Sequence, residues 1–437
     1  MLKPFRGVRY AEGRVSGLAE VTSPPYDVIA SENEDQLLAA DPHNVVRIIR
    51  PHATGQPGSS WDDAAADLRQ WLADGILVAD DRPALYVYEQ FAAGHSGAER
   101  GDRPDRLQRG LIGAVRLVPR EAGIVQPHEA VAPGPVAGRL ALMEATQANL
   151  EPIFLLYDGQ AGPGGPGPAT RIVTETALRR PPLAEARTPD GIRHRLWAIT
   201  DPAELGQIAA DLGPRTALIA DGHHRYAAYR ELQQRRQAAG DGTGPWDFGL
   251  ALLVDSAAYP PELGAIHRVI PGLPAHRAAE LAERAFAVRE IAGGTKDIPA
   301  VLDELSVAGR GGVAFVVAGD GQAWLLTDPD PAQLAKAMAD QPAEPWRHLP
   351  GAVLQELLMD RIWQIRDDEA TVSVEHDPAA AVREADEIPG ATAVLCSPMS
   401  AADVYAVAAQ ERIVPRKSTS FGPKPRSGLV IRTFADS

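Results

Sequence analysis

One junction constrains this chain more than any other feature. An apolar run, Thr216–Ala220 (TALIA), meets a helix-forming stretch, His223–Gln237, with only Asp221 and Gly222 between them. A short apolar run closed by turn residues suits a buried strand, and so brief a link allows only a tight strand–turn–helix corner. The rest of the chain alternates in the same way. Trp61–Asp74 carries Trp61, Ala65, Leu68, Trp71 and Leu72 at helical spacing and ends at Gly75. Ile153–Tyr157 and Ala393–Cys396 read as strands, Val313–Val317 with Trp324–Thr327 as a β-pair, and Asp330–Asp340 and Ala401–Gln410 as helices. Strand-like Ala84–Phe91 and Gly110–Leu117 flank Gly94–Arg106, which reads as the loop of a hairpin. The order shows no regular βαβ repeat, so the expected class is α/β (mixed α+β), with mixed sheets, flanking helices and two lobes.

At 437 residues the chain exceeds one small core. The Gly/Pro run Asp158–Pro168 and the Gly-rich Ala238–Pro245 are its clearest breaks. They suggest an N-terminal lobe over 1–158, a second over 169–289 holding the Asp221–Gly222 corner, and a C-terminal lobe over 290–437. Apolar residues make up 45% and charged residues 23%, which excludes a disordered or collagen-like chain. The single cysteine, Cys396, can form no internal disulfide and is expected to be a buried core thiol. Met1–Tyr10 has no signal-peptide pattern, and the apolar runs near Leu250–Val254 and Val313–Ala318 fall short of a membrane span. A soluble, cytoplasmic protein without membrane contact is expected.

Charge narrows the chemistry. The net charge of -15 counts against a protein that grips nucleic acid through its phosphates, though it leaves room for a local cationic pocket. Of 43 basic residues only five are lysines: Lys3, Lys296, Lys336, Lys417 and Lys424. In a chain that otherwise uses arginine, each remaining lysine draws notice, and two of them fall within eight residues.

Five segments are candidates for chemistry. The first is Asp221-Gly222-His223-His224-Arg225-Tyr226. Asp221 is expected to cap the helix, and Gly222 to let backbone and ligand come close. The first turn then offers free N–H groups, two imidazoles and a guanidinium, a combination suited to phosphate. A merely capped helix with exposed His and Arg is the alternative, and a His-His zinc site a more remote one. The second segment, Val414–Leu429, holds Arg416, Lys417, Ser418, Thr419, Lys424 and Arg426 without an acid, and reads as a second anion surface or a basic tail. The apolar Leu429-Val430-Ile431 favours a packed strand at its end. The third, His128-Glu129, could supply a general base or a magnesium ligand. Ser23–Val28 fixes Tyr26 and Asp27 on a Pro-Pro turn, and Ile266-His267-Arg268 closes a strand; both also have plain structural readings.

Taken in order, these segments resemble one family, the bacterial and archaeal proteins catalogued as domain of unknown function 1015. The resemblance rests on Lys3–Gly7, Pro24–Ile29, Asn44–Pro51, His128-Glu129, Glu151–Asp158, Ala220–Tyr226, His267-Arg268 and Lys417–Val430. The chain departs from the pattern where Ala130, Val131 and Gly138-Arg139 follow Glu129. Asp221–Arg225 is also similar to the phosphate-binding motif of the ParB/sulfiredoxin-like superfamily, which includes CTP-binding partitioning proteins, ATP-using sulfiredoxins and free serine kinases. That resemblance implies a ParB/sulfiredoxin-like core and a nucleotide or polyphosphate site at Gly222–Arg225.

The leading expectation is therefore a phosphotransferase, a kinase moving phosphate from ATP, ADP or another donor to a small hydroxyl metabolite such as L-serine. Arg225, His223 and His224 would hold the donor phosphates, with Arg268, Lys417, Ser418, Thr419, Lys424 and Arg426 adding to the clamp. Glu129 is first choice as base, ahead of Asp27 and Asp221, with His128 and His224 beside the chemistry and Mg2+ as the expected cofactor. The expected partner is a small phosphorylated ligand. A ParB-like nucleotide-binding regulator, which would need a basic DNA-reading helix elsewhere, and a phosphate-ester hydrolase are the alternatives.

Overall fold

The computed structural model describes residues 1–29, 31–51, 60–94, 105–159, 165–341, 344–367, 371–410 and 412–435. Parts of Gly94–Arg106 and Asp158–Pro168 thus lie outside the described residues. Chain contacts define two units: one of residues 1–127, 131–261 and 423–437, the other of 128–130 and 262–422. These bounds differ from lobes at 1–158, 169–289 and 290–437, because strand pairing draws segments from both sides of residue 158 into one sheet. The protein is of mixed α/β class.

In the first unit, α1 is Trp61–Ala73, β1 Leu85–Ala92, β2 Arg106–Arg116, α2 Pro133–Thr146, β3 Ile153–Tyr157, α3 Pro168–Arg179, β4 Arg193–Ile199, α4 Pro202–Leu212, β5 Ala217–Asp221, α5 His223–Ala238 and β6 Phe248–Asp255. Among the described residues the sheet has nine strands, in the order Val125–Gln126, β5, β3, β6, β2, β1, β4 and Ala184–Arg187, with Leu2–Lys3 paired to β2. β6 runs parallel to β3 and antiparallel to β2, and β5 antiparallel to β3, so the sheet is mixed. The central β3 and most of β6 are apolar at every position because both faces of these strands are buried. On one face Ile153, Leu155, Ile219 and Leu253 pack with Val173 of α3 and Tyr226, Tyr229 and Leu232 of α5. A second cluster joins α1 to Val45–Ile49 and Ile431. α1 begins at a capping box: Ser60 Oγ accepts from Asp62 N–H, and Asp63 accepts from Ser60 N–H.

Residues 423–435 are built into this unit and do not trail from it. Ser427 bridges Ser23, Ile431 bridges Val8, and Arg432–Thr433 pairs with Ala148–Asn149. The guanidinium of Arg432 is buried and donates to Asn149 Oδ1 and to the carbonyls of Phe248 and Pro245. The packed strand end expected at Leu429–Ile431 is therefore present.

In the second unit, β7 is His267–Ile270, α6 Ala275–Ala282, β8 Ala287–Glu290, α7 Ile298–Gly309, β9 Phe315–Gly319, β10 Gln322–Thr327, β11 Ser373–Glu375, α8 Pro378–Glu387 and β12 Thr392–Cys396. Among the described residues six strands, all antiparallel, run in the order β8, β10, β9, β12, β7, β11. Asp320 and Gly321 join β9 to β10, both with positive φ, the backbone that a two-residue hairpin turn of this twist requires. Val316, Leu325 and Leu395 from the sheet pack on Val301, Leu305, Ala381 and Val382 from α7 and α8. Glu262–Gly264 and Ser420–Gly422 form a separate antiparallel pair. Cys396 is a buried core thiol, and burial raises its pKa to about 11.

Each unit buries a neutral histidine. His194 lies between the hydroxyls of Tyr88 and Thr188, and His267 Nδ1 accepts from Cys396 N–H. Burial, the largest cause in both, lowers their pKa values to about 4. A histidine of the unfolded chain binds its proton near pH 6.5, so stability is full above that value and is lost as pH falls toward 4. From pH 7 to pH 5 each should cost about 2 kcal/mol. Urea unfolding at the two pH values should show this loss, with a smaller one in His194→Gln and in His267→Gln. An equal loss in both variants and the parent would show that these rings do not set it.

Candidate functional site

The corner between β5 and α5 is built by a slip in register. Ile219 pairs with Leu155, yet Asp221 pairs with the adjacent Phe154. That one-residue irregularity sends Asp221 to the face opposite the Ile219 core, which keeps a carboxylate out of an apolar interior. Gly222 follows at φ 92°, where a Cβ would stand 2.9 Å from Ile153 Cγ2 and 3.2 Å from Arg225 Cζ. Both backbone shape and space demand glycine here. The cap expected from Asp221 does not form. Gly222 occupies the cap position with no side-chain bond, because the Asp221 carboxylate is engaged by two cations instead.

Those cations are Arg225 and Lys424. Arg225 Nη2 lies 2.5 Å from Asp221 Oδ2, and Nη1 donates to the Pro152 carbonyl at 2.6 Å. Lys424 Nζ lies 2.5 Å from Asp221 Oδ1 and 3.7 Å from Asp27 Oδ2. Burial would raise the Asp221 pKa, but Lys424 and then Arg225 outweigh it and hold the group at about 2. Burial would likewise lower the Lys424 pKa, but Asp221 and Asp27 raise it. Both stay charged at neutral pH. The arrangement is graded in exposure: Arg225 is 4% exposed, Lys424 18% and Asp27 36%. His223 is buried, and His224 Nε2 accepts from Ala132 N–H at 3.0 Å.

Two residues outside the sequence-based site extend this network. Glu151 is buried and accepts from Tyr26 N–H and Ser427 Oγ, both at 3.0 Å, with Arg139 Nη1 at 3.6 Å. Arg139 stacks over the Tyr26 ring at 4.0 Å. The available signal was an acid-proline pair, Glu151-Pro152, directly before an all-apolar strand. Arg426 behaves differently from expectation. It is buried, and its guanidinium donates to Thr22 Oγ1 and the Thr22 carbonyl, tying 423–435 to residues near Ser23.

The remaining candidates belong to the second unit. His128 is fully buried; its Nε2 lies 3.0 Å from Thr419 Oγ1, and Thr419 donates to Glu129 Oε1 at 2.7 Å. With Thr419 donating to the carboxylate, the histidine proton sits on Nε2 and donates to the hydroxyl. The structure thus gathers His128, Thr419 and Glu129 into one chain of hydrogen bonds. Arg268, expected in a phosphate clamp, is buried and donates to Asp367, to the carbonyls of Arg416 and Lys417, and to that of Ile266. It shapes the turn at Lys417, which itself has φ 49°. Ser418 Oγ donates to the Pro415 carbonyl at 2.7 Å.

Among the described residues no three His, Cys, Asp or Glu side chains gather as a metal site. Asp27 and Asp221 already share Lys424 as their counter-cation. A magnesium ion held mainly by phosphate and water oxygens needs only one or two carboxylates, and Asp27 is the open one in the first unit. No helix among the described residues is long and apolar enough to cross a membrane.

A family model described as "Protein of unknown function (DUF1015)" matches residues 2–351, and the chain belongs to that family. No curated protein matches in sequence. Solved structures with some likeness include SbnI with a C-terminal truncation from Staphylococcus aureus, at 10% identity and TM-score 0.37, covering 74% of this chain and 87% of that one. A free serine kinase in complex with AMP shares 13% identity at TM-score 0.35, over 71% and 87%. A conserved hypothetical protein from Pyrococcus furiosus shares 12% at TM-score 0.36, over 75% and 97%. Likeness of that degree fixes neither fold nor activity.

Two measurements check the network. Gly222→Ala should lower stability by about 1–3 kcal/mol, from strained backbone plus contact with Ile153 and Arg225; a urea midpoint matching the parent would contradict that. Asp221 binds its proton at about 2 when folded against 3.8 in the unfolded chain. Its contribution is therefore full above about pH 4, is lost as pH falls through about 2, and is on the order of 2 kcal/mol. Asp221→Asn should flatten that acid limb, and an unaltered limb would exclude the ion pairs as its source.

Proposed function

We propose that this member of the DUF1015 family is a small-molecule kinase, moving a phosphoryl group from a nucleotide or polyphosphate donor to the hydroxyl of a metabolite such as L-serine. The observation that carries this reading is Lys424, a partly exposed ammonium fixed by Asp221 and Asp27. Asp221 also ends the strand that leads through Gly222 into α5, whose first-turn N–H groups add positive potential. Phosphoryl transfer asks chiefly for positioning and charge neutralisation, which these groups can supply.

In this reading Lys424 and the amides after Gly222 meet the donor phosphates, with His224 at the same turn. Arg225 acts through Asp221: buried behind it, the guanidinium orients the carboxylate that orients Lys424. It is a positioning residue, in place of the direct phosphate ligand expected from sequence. Transfer forms a bond between the acceptor oxygen and phosphorus and breaks the bond to the donor's bridging oxygen. The acceptor proton passes to a carboxylate. Asp221, held ionised by two cations, is too weak a base, so Asp27 stands as the proposed acceptor in the first unit. Magnesium entering with a nucleotide would be held mainly by phosphate and water oxygens and would neutralise donor charge. The net charge of -15 argues for a small anionic ligand over nucleic acid.

A thermal-shift series with ATP, ADP, CTP and pyrophosphate, with and without magnesium, tests binding, since a ligand of the native state raises its melting temperature. Incubation with L-serine and phosphorus NMR of the products then tests transfer. Phosphoserine supports the reading, phosphate release without serine indicates a hydrolase, and a shift without turnover indicates a nucleotide-binding regulator. Lys424→Met should lower kcat/KM by about 10²–10³. Asp27→Asn should lower kcat with KM retained. No shift with any ligand refutes the phosphate site.

A further inference from the structure

Along α5, beyond its first turns, the first unit carries a cationic groove that the kinase reading does not use. Register assembles it. Lys3 pairs with Ala114 near the end of β2, and Arg116, the last residue of β2, pairs with Phe248, the first of β6. Three strands thereby place Lys3, Arg116 and the Phe248 ring together, with Lys3 Nζ 4.4 Å from the ring centroid. Arg230 reaches the same space from the middle of α5 and bonds Gln233. The groove holds about 720 Å³, within the range of small-molecule sites.

Charge in the groove is not balanced by its own acid. Asp247 is the carboxylate lining it, and that group accepts from Gln233 Nε2 at 2.8 Å, Gly244 N–H at 2.9 Å and Gln237 Nε2 at 3.5 Å. No carboxylate pairs with Lys3 or Arg116 among the described residues, in a chain whose net charge is -15 and whose acids outnumber its bases. A second observation points the same way. An adjoining cavity of about 370 Å³ shares Lys3, Asp247 and Phe248 and is lined by Arg432. That arginine is 1% exposed, and its Nε has no hydrogen-bond partner.

We propose that this groove is a second anion site, taking a small phosphate-bearing metabolite whose phosphate is held by Lys3 and Arg116 and whose remainder lies along Phe248 toward Arg230. It is built by different residues from the Lys424 cluster, so it stands or falls independently of the kinase reading. Charge-assisted bonds of this kind, partly screened, make each cation worth roughly tenfold in affinity, and binding weakens as salt rises.

Calorimetric titration of the full chain with pyrophosphate tests it, using Lys3→Gln, Arg116→Gln, Arg116→Lys and Lys424→Met. Lys3 and Arg116 are exposed, so their variants should melt with the parent. The expected result is one binding event weakened about tenfold or more in Lys3→Gln and Arg116→Gln and largely kept in Arg116→Lys, beside a second event that Lys424→Met alone weakens. Titrations of Lys3→Gln and Arg116→Gln that match the parent overturn the proposal, including the case in which only Lys424→Met changes. If only the Lys3 and Arg116 variants change, the groove is confirmed and the phosphate role of Lys424 fails.

Discussion

A carboxylate shielded from water needs positive charge or several hydrogen-bond donors, and at Asp221 the first unit is arranged to supply positive charge. Arg225 arrives from the next helical turn, which depends on α5 starting immediately after Gly222. Lys424 arrives from residues 423–435, which depends on that segment threading past Ser23, Val8 and Ala148. The register slip in β5 sets the direction of the side chain. Removing one partner of such a buried set costs several kcal/mol, because the other is left uncompensated. Secondary structure, topology and electrostatics therefore meet at one side chain.

The same arrangement divides positive charge by purpose. Arg225, Arg268, Arg426 and Arg432 are buried, and each donates to backbone carbonyls. A guanidinium with several donors in a rigid plane suits that work. Lys3, Lys417 and Lys424 keep more exposure. An ammonium on a flexible stem can turn from a carboxylate to an incoming phosphate, and the uneven use of the two residue types becomes intelligible on that basis.

Much of the fold was legible in the sequence. The runs at 153–157, 217–221 and 392–396, and the helices at 61–73 and 223–238, follow from apolar spacing and turn residues that act locally. The division into units was not legible, because it depends on which strands pair across long separations and on where 423–435 inserts. For the candidate site, residue identity was readable and residue role was not. Asp221-Gly222 looked like a cap because proximity in sequence favours the local bond; a distant lysine competed for the same carboxylate. Arg268 and Arg426 looked available because composition does not reveal burial. Glu151 went unselected because its partners, Tyr26, Arg139 and Ser427, come from three separate stretches.

The interruption of the first unit by the second has a consequence for biosynthesis. Lys424 and its neighbours are translated only after the whole of 262–422, so the carboxylate of Asp221 is made long before its second counter-charge exists. A nascent chain holds this half-neutralised corner open while an entire second sheet is being produced. A chain cut at the boundary between the units would lose that closing segment and would not yield a finished first unit.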